Sequence, residues 1–166
     1  MQNQDTLPAE SAVSAGMLAK FLHRKNSQTL EGKFAARCDE LVRMRNFIMQ
    51  VCMRESEICP NRVEVQKLML AVNEVATNII KHGFDDEFKT VKPAINFKIT
   101  ITNQCAAITL SYAGKPFMPG VVSCPKSEKL QQGGYGLFIA QALSDHIYYR
   151  PARSSCEILI IKQIAE

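Results

Sequence analysis

Apolar positions follow two periods along this chain, and the points where one gives way to the other mark its elements. Val13, Met17, Leu18, Phe21 and Leu22 recur near helical spacing and predict a short helix, Ala9 to His23, within an N-terminal appendage of residues 1–28. Leu30 and Phe34 share one face of Thr29 to Ala36, which reads as a first strand despite Gly32. Helical spacing returns over Cys38 to Arg54, with Leu41, Val42, Met44, Arg45, Ile48 and Met49. Cys59-Pro60-Asn61 closes the connection that follows. Asn61 is then an N-cap, Glu64 completes a capping-box-like start, and a second helix is expected as far as His82. Its broad apolar stripe is Val65, Leu68, Met69, Val72, Val75, Ala76 and Ile79, and Gly83 stops it.

The period then changes to two. Ile95, Phe97, Ile99 and Ile101 alternate through Ala94 to Thr102, and Cys105 to Tyr112 continues after the turn Asn103-Gln104, which predicts an antiparallel hairpin. Gly114, Pro116, Pro119 and Gly120 break regular structure, and Val121 to Gln132, without a clear period, reads as a mobile loop. A third helix is expected over Tyr135 to Leu143, and two last strands, Ile147 to Arg150 and Cys156 to Gln163, flank a turn around Pro151 to Ser154. The sum is an α+β domain over residues 29–166: a two-layer α/β sandwich with helices on one face of a mostly antiparallel sheet.

Composition narrows the class. The 166 residues, 46% hydrophobic and 22% charged, suit one ordinary globular domain rather than a disordered or fibrous chain. The 20 Lys and Arg against 16 Asp and Glu leave a formal charge of +4, but the basic residues are scattered, so direct nucleic-acid binding is not expected. The six cysteines show no CxxC pair and no zinc-like spacing with His, and several sit in apolar stretches, which favours a reducing cytoplasm. The beginning of the chain lacks a signal-peptide pattern, and no apolar run approaches membrane-spanning length.

Candidate chemistry lies in two short segments. Glu74 and Asn78, four residues apart on the second helix, point to one side, so a carboxylate and an amide would meet one ligand. A neutral amide oxygen suits Mg²⁺, and a carboxylate can take a proton from a hydroxyl or water. Gly133-Gly134-Tyr135-Gly136-Leu137 precedes the third helix, where backbone N–H groups can receive phosphate. Each segment alone also reads as something plainer: a solvated pair on a helix, or a flexible turn. Their order is the more specific signal.

Together these motifs resemble the GHKL (Bergerat-fold) ATPase superfamily, and within it most the anti-sigma-factor serine/threonine kinases (RsbW-like). Glu74 and Asn78 match the family's ExxxN helix, His82-Gly83-Phe84 is similar to that helix's ending, and Gly133 to Ile139 match the glycine box, with Ala140 to Asp145 after it. The similarity covers about Leu30 to Gln163. It implies ATP and Mg²⁺ as cofactors, with Glu74 the general base and Asn78 the Mg²⁺ ligand. Gly133, Gly134, Gly136 and Leu137 fall in the phosphate-binding lid hinge, and Gly114 lines the adenine pocket. Lys81 and His82, one turn past Asn78, could face the phosphates, although cations at a helix end also stabilise its dipole. Tyr112 stands where the family's DxG box has the Asp that holds the adenine amino group, and Cys156 stands near a family Thr of the same network. A lost hydrogen bond of that kind costs about 1–3 kcal/mol, so Tyr112→Asp is expected to strengthen ATP binding.

By resemblance, the chain phosphorylates a Ser or Thr of a small STAS-type antagonist and sequesters a sigma factor or another target in a partner-switching system. The alternative is a degenerate protein-binding module of the same fold with weak or no nucleotide binding. The appendage offers a surface for a partner or a homodimer. A detached histidine-kinase domain ranks lower, since no dimerising helix pair with a phosphoacceptor His is recognisable.

Overall fold

The computed structural model describes residues 27–54, 61–84, 92–117 and 135–165. The expected appendage helix and the loop Val121 to Gln132 lie outside these residues. Five strands, β1 (Gln28–Ala35), β2 (Ala94–Ile101), β3 (Cys105–Ala113), β4 (His146–Ala152) and β5 (Ser155–Gln163), form one sheet in the order β1-β2-β3-β5-β4. Every neighbouring pair is antiparallel. Among the described residues three α-helices accompany it: α1 (Leu41–Arg54), α2 (Arg62–His82) and α3 (Tyr135–Leu143). None is long and apolar enough to cross a membrane.

The α+β expectation holds, and the differences are local. Cys38–Glu40 is a turn of 3-10 helix ahead of α1 rather than its first turn. Gln28 joins β1, pairing with Ile101. Both last strands are longer than their apolar alternation, because β4 and β5 pair up to Ala152 and Ser155 around a two-residue turn. Asn61 caps α2 as expected, its Oδ1 accepting from the N–H groups of Val63 and Glu64 at 3.0 and 3.4 Å. The reciprocal half of a capping box is replaced. The Asn61 N–H donates to the Ile164 carbonyl at 2.7 Å, and the Glu64 carboxylate turns to Lys162 and Lys67 at 3.0 and 2.7 Å.

The strand period of two sorts the sheet into a helix-side face and an outer face. Phe97, Ile99, Ile108, Leu110, Ile158 and Ile160 are fully buried on the helix side, against Val65, Leu68, Val72, Val75 and Ile79 of α2 and Met44 and Ile48 of α1. This packing holds α2 at a fixed rotation, so Glu74 and Asn78, off the buried stripe, turn to the rim of the layer. A core truncation such as Leu68→Ala would cost about 2–5 kcal/mol. The even positions of β5 run Cys156, Ile158, Ile160, Lys162, so Lys162 also points inward. It is 9% exposed and lies 2.9 Å from Asp145 and 3.0 Å from Glu64, joining the segment after α3 to the start of α2.

Candidate functional site

α2 carries Glu74 and Asn78 on adjacent turns, both half-buried. α3 approaches them through Gly136. A Cβ on residue 136 would lie 2.6 Å from the Glu74 Oε2 and 3.7 Å from the Asn78 amide nitrogen. With the carboxylate in this position there is room for only the hydrogen atom of glycine. The structure therefore brings together three residues expected to share a ligand, one from the glycine box and two from the helix motif. Among the described residues neither Glu74 nor Asn78 has a hydrogen-bond partner, so an oxygen of each is available to a ligand. Leu137 is half-buried next to Gly136 in the first turn of α3. Lys81 and His82 are exposed in the last turn of α2, where they complement its dipole. Gly133 and Gly134 lie outside the described residues.

The C-terminal end of α2, just past Asn78, is built differently. Tyr112, on the helix-side face of β3, is 2% exposed. Its ring packs against Phe84 at 5.6 Å between centroids, and its hydroxyl donates to the Lys115 carbonyl at 2.8 Å. Burial, then the neighbouring Cys156, pushes the phenol well above its ordinary range. Cys156 is paired across the ladder with Tyr112, and its thiol donates to the Phe117 carbonyl at 3.6 Å. The ring thus occupies the place assigned by sequence to an adenine contact, and its O–H is already used within the chain.

Gly114 has a packing role here. A Cβ on it would lie 2.2 Å from the Gly83 carbonyl oxygen, which accepts the Lys115 N–H at 2.8 Å. Gly83 is constrained in turn: its φ of −82° is ordinary, but a Cβ would lie 2.7 Å from the Ile79 carbonyl and 2.8 Å from the Tyr112 ring. The two glycines let the end of α2 close onto the end of β3.

Two participants were missed in the sequence. Tyr149 of β4 lies with its ring 6.3 Å from Phe117, and its buried hydroxyl has no hydrogen-bond partner among the described residues. Burial, then Cys156, pushes it up to about 12. Its only sequence signal was its alternation with Ile147 on the inward face of β4. Phe84 belongs to the helix ending His82-Gly83-Phe84, and nothing in that local pattern signals that it packs on Tyr112.

The halves fit a nucleotide with Mg²⁺ unequally. Where the phosphates and cation would lie, a carboxylate, an amide and a glycine backbone close to both are present. Mg²⁺ takes few protein ligands and completes its shell with phosphate oxygens and water, which suits such a sparse set. Where the base would lie, a packed Tyr replaces an acceptor.

A profile of the histidine kinase-like ATPase domain family matches residues 34–162. Among solved structures, the RsbU and RsbW domains of Rv1364c from Mycobacterium tuberculosis align with a TM-score of 0.58 at 12% identity, over 84% of this chain. The histidine kinase domain of the blue-light activated histidine kinase from Erythrobacter litoralis EL346 aligns with a TM-score of 0.49 at 17% identity, over 76%. This chain spans 33% and 60% of those two chains. No curated protein sequence matches it. The profile match takes in both strand-borne and helix-borne motifs, and the first alignment shows the same fold; the chain belongs to the histidine kinase-like ATPase domain family, the GHKL superfamily.

Proposed function

We propose that this chain binds ATP with Mg²⁺ at the α2–α3 rim and transfers phosphate to a Ser or Thr hydroxyl of a small antagonist protein, as a regulator of the anti-sigma-factor kinase type. The observation that carries this reading is the Gly136 approach to Glu74 and Asn78, which a merely structural helix pair does not need. When bound, ATP supplies the phosphoryl group and Mg²⁺ neutralises charge on its oxygens. The chain's own parts have separate tasks. Glu74 takes the proton of the acceptor hydroxyl, Asn78 offers the cation an amide oxygen, and Gly136 with Gly133, Gly134 and Leu137 keeps backbone close to phosphate. Lys81 and His82 add positive charge one turn beyond. The RsbW domain in the mycobacterial neighbour supports a partner-switching setting, with a STAS-type antagonist and a sigma factor as partners in the cytoplasm.

Tyr112 favours a second reading, a protein-binding module that keeps the fold but holds nucleotide weakly or not at all. Thermal unfolding with ATP, with and without Mg²⁺, separates the two. Saturation at 100 times the dissociation constant adds about 2.7 kcal/mol, or roughly 5–11 °C for a chain of this size. No shift at millimolar ATP would establish the module. If ATP binds, Glu74→Gln should abolish transfer while sparing affinity, and Asn78→Ala should remove the Mg²⁺ dependence.

A further inference from the structure

The outer face of the sheet is buried where none of the described helices covers it. Ala107, Leu159, Ile161 and Tyr148 form an apolar cluster there, separate from the helix-side core, and only strand residues belong to it. Ala107 is 2% exposed, Leu159 5% and Thr100, beside them, 3%. Such burial on a face that none of the described helices covers points to a cover from elsewhere in the chain.

We propose that the cover is the segment ahead of β1, residues 9–23, which lays Val13, Met17, Leu18, Phe21 and Leu22 on Ala107, Leu159, Ile161 and Tyr148. Chain path selects it. Gln28 enters the sheet opposite Ile101, in the row next to the one that holds Thr100, Ala107, Ile161 and His146. The segment ending at Gln28 therefore arrives at the buried end of the outer face. The connections after α2 and after β3 leave from the opposite end, and their anchors face the helices: Phe84 packs on Tyr112, and Phe117 packs on Tyr149. The connection between α1 and α2 spans six residues, 55–60, and returns at Asn61, bound to Ile164. From β1 to β5 is three strand spacings, roughly 14 Å, and fifteen helical residues reach roughly 22 Å. The five apolar positions are the ones whose helical spacing makes a single stripe.

Photocrosslinking in the full chain tests this directly. With Leu18→p-benzoylphenylalanine in monomeric protein, adducts are expected within one chain, in the peptides holding residues 105–111 and 156–163. Adducts between chains, in α1 or α2, or none at all would overturn the proposal, and those between chains would make the face a homodimer surface. Thermal shifts of Phe21→Ala, Leu159→Ala and the double variant supply a second readout. The double loss is expected to fall clearly short of the sum, and additive losses would show that the two side chains do not meet.

Discussion

Gly136→Ala should separate function from stability. The added methyl would sit 2.6 Å from the Glu74 Oε2. Ordinary carbon–oxygen contact begins near 3.4 Å, so the carboxylate must withdraw by about 0.8 Å, the difference of the two. The obstacle is the tip of a long, half-buried side chain, so turning it off its preferred rotamer costs about 0.5–1.5 kcal/mol. Replacing Gly by Ala in α3 returns up to about 1 kcal/mol of helix propensity, less in the first turn than in the interior. Net stability should move by under about 1 kcal/mol, a Tm change within roughly 2–4 °C. A misplacement approaching 1 Å at a reacting group is worth on the order of 100-fold in rate. The expected result is a near-parental melting curve with phosphotransfer to the partner reduced by that order, followed by transfer of labelled γ-phosphate. Unchanged transfer would refute the role given to the Glu74–Gly136 contact. A large loss of Tm would instead make Gly136 a packing residue.

Gly114→Ala should behave in the opposite way, because its methyl meets the Gly83 carbonyl at 2.2 Å and two backbones cannot both yield; a loss of about 1–3 kcal/mol in denaturant unfolding is expected. Tyr149→Phe removes a buried hydroxyl that has no partner among the described residues, so the melting temperature should stay level or rise; a clear fall would reveal a partner for it. Lys162→Met should cost about 1–2 kcal/mol at neutral pH, since Asp145 and Glu64 remain and are partly solvated. Burial alone would raise the Asp145 carboxyl, but the Gln163 N–H and Lys162 outweigh it, and Lys67 with Lys162 lowers Glu64. Carboxyls held low stabilise above their unfolded values near about pH 4 and lose this as pH falls further, so parent and variant melting temperatures should converge in acid. A gap independent of pH would refute the ionic account. Tyr112→Asp should lower stability by about 3–5 kcal/mol, since it exchanges a packed ring for a buried carboxylate; tighter ATP binding without that loss would restore the expectation drawn from sequence.

The elements were legible because their periods are long and unambiguous. α2 follows one stripe from Val65 to Ile79, and the alternation of Ile95, Phe97, Ile99 and Ile101 fixed both the face and the register of the β2–β3 hairpin. What local pattern could not show was pairing at a distance. Glu64 stands three residues from an N-cap, which reads as a capping box, yet a lysine almost a hundred positions later takes its carboxylate. Gly114 and Gly136 look equivalent as residues of glycine motifs. Their neighbours differ: one meets a carbonyl of the main chain, the other a carboxylate tip.

That difference extends to the two parts of the candidate site. Glu74 and Asn78 reach the Gly136 backbone with their side-chain ends, and the fold does not depend on any of the three for its core. Tyr112 belongs to the core. Its ring fills the gap between Phe84 and Gly83, its hydroxyl fixes the Lys115 carbonyl, and the adjacent Lys115 N–H ties β3 to the end of α2. Once a ring occupies that position, Phe84, Gly83 and Cys156 pack around it, and each adds to the penalty for restoring a small acid. Tyr112→Asp alone therefore leaves a cavity and an unpaired charge rather than an adenine contact. An acid at 112 requires the surrounding positions to change together, whereas Glu74, Asn78 and Gly136 can be altered one residue at a time.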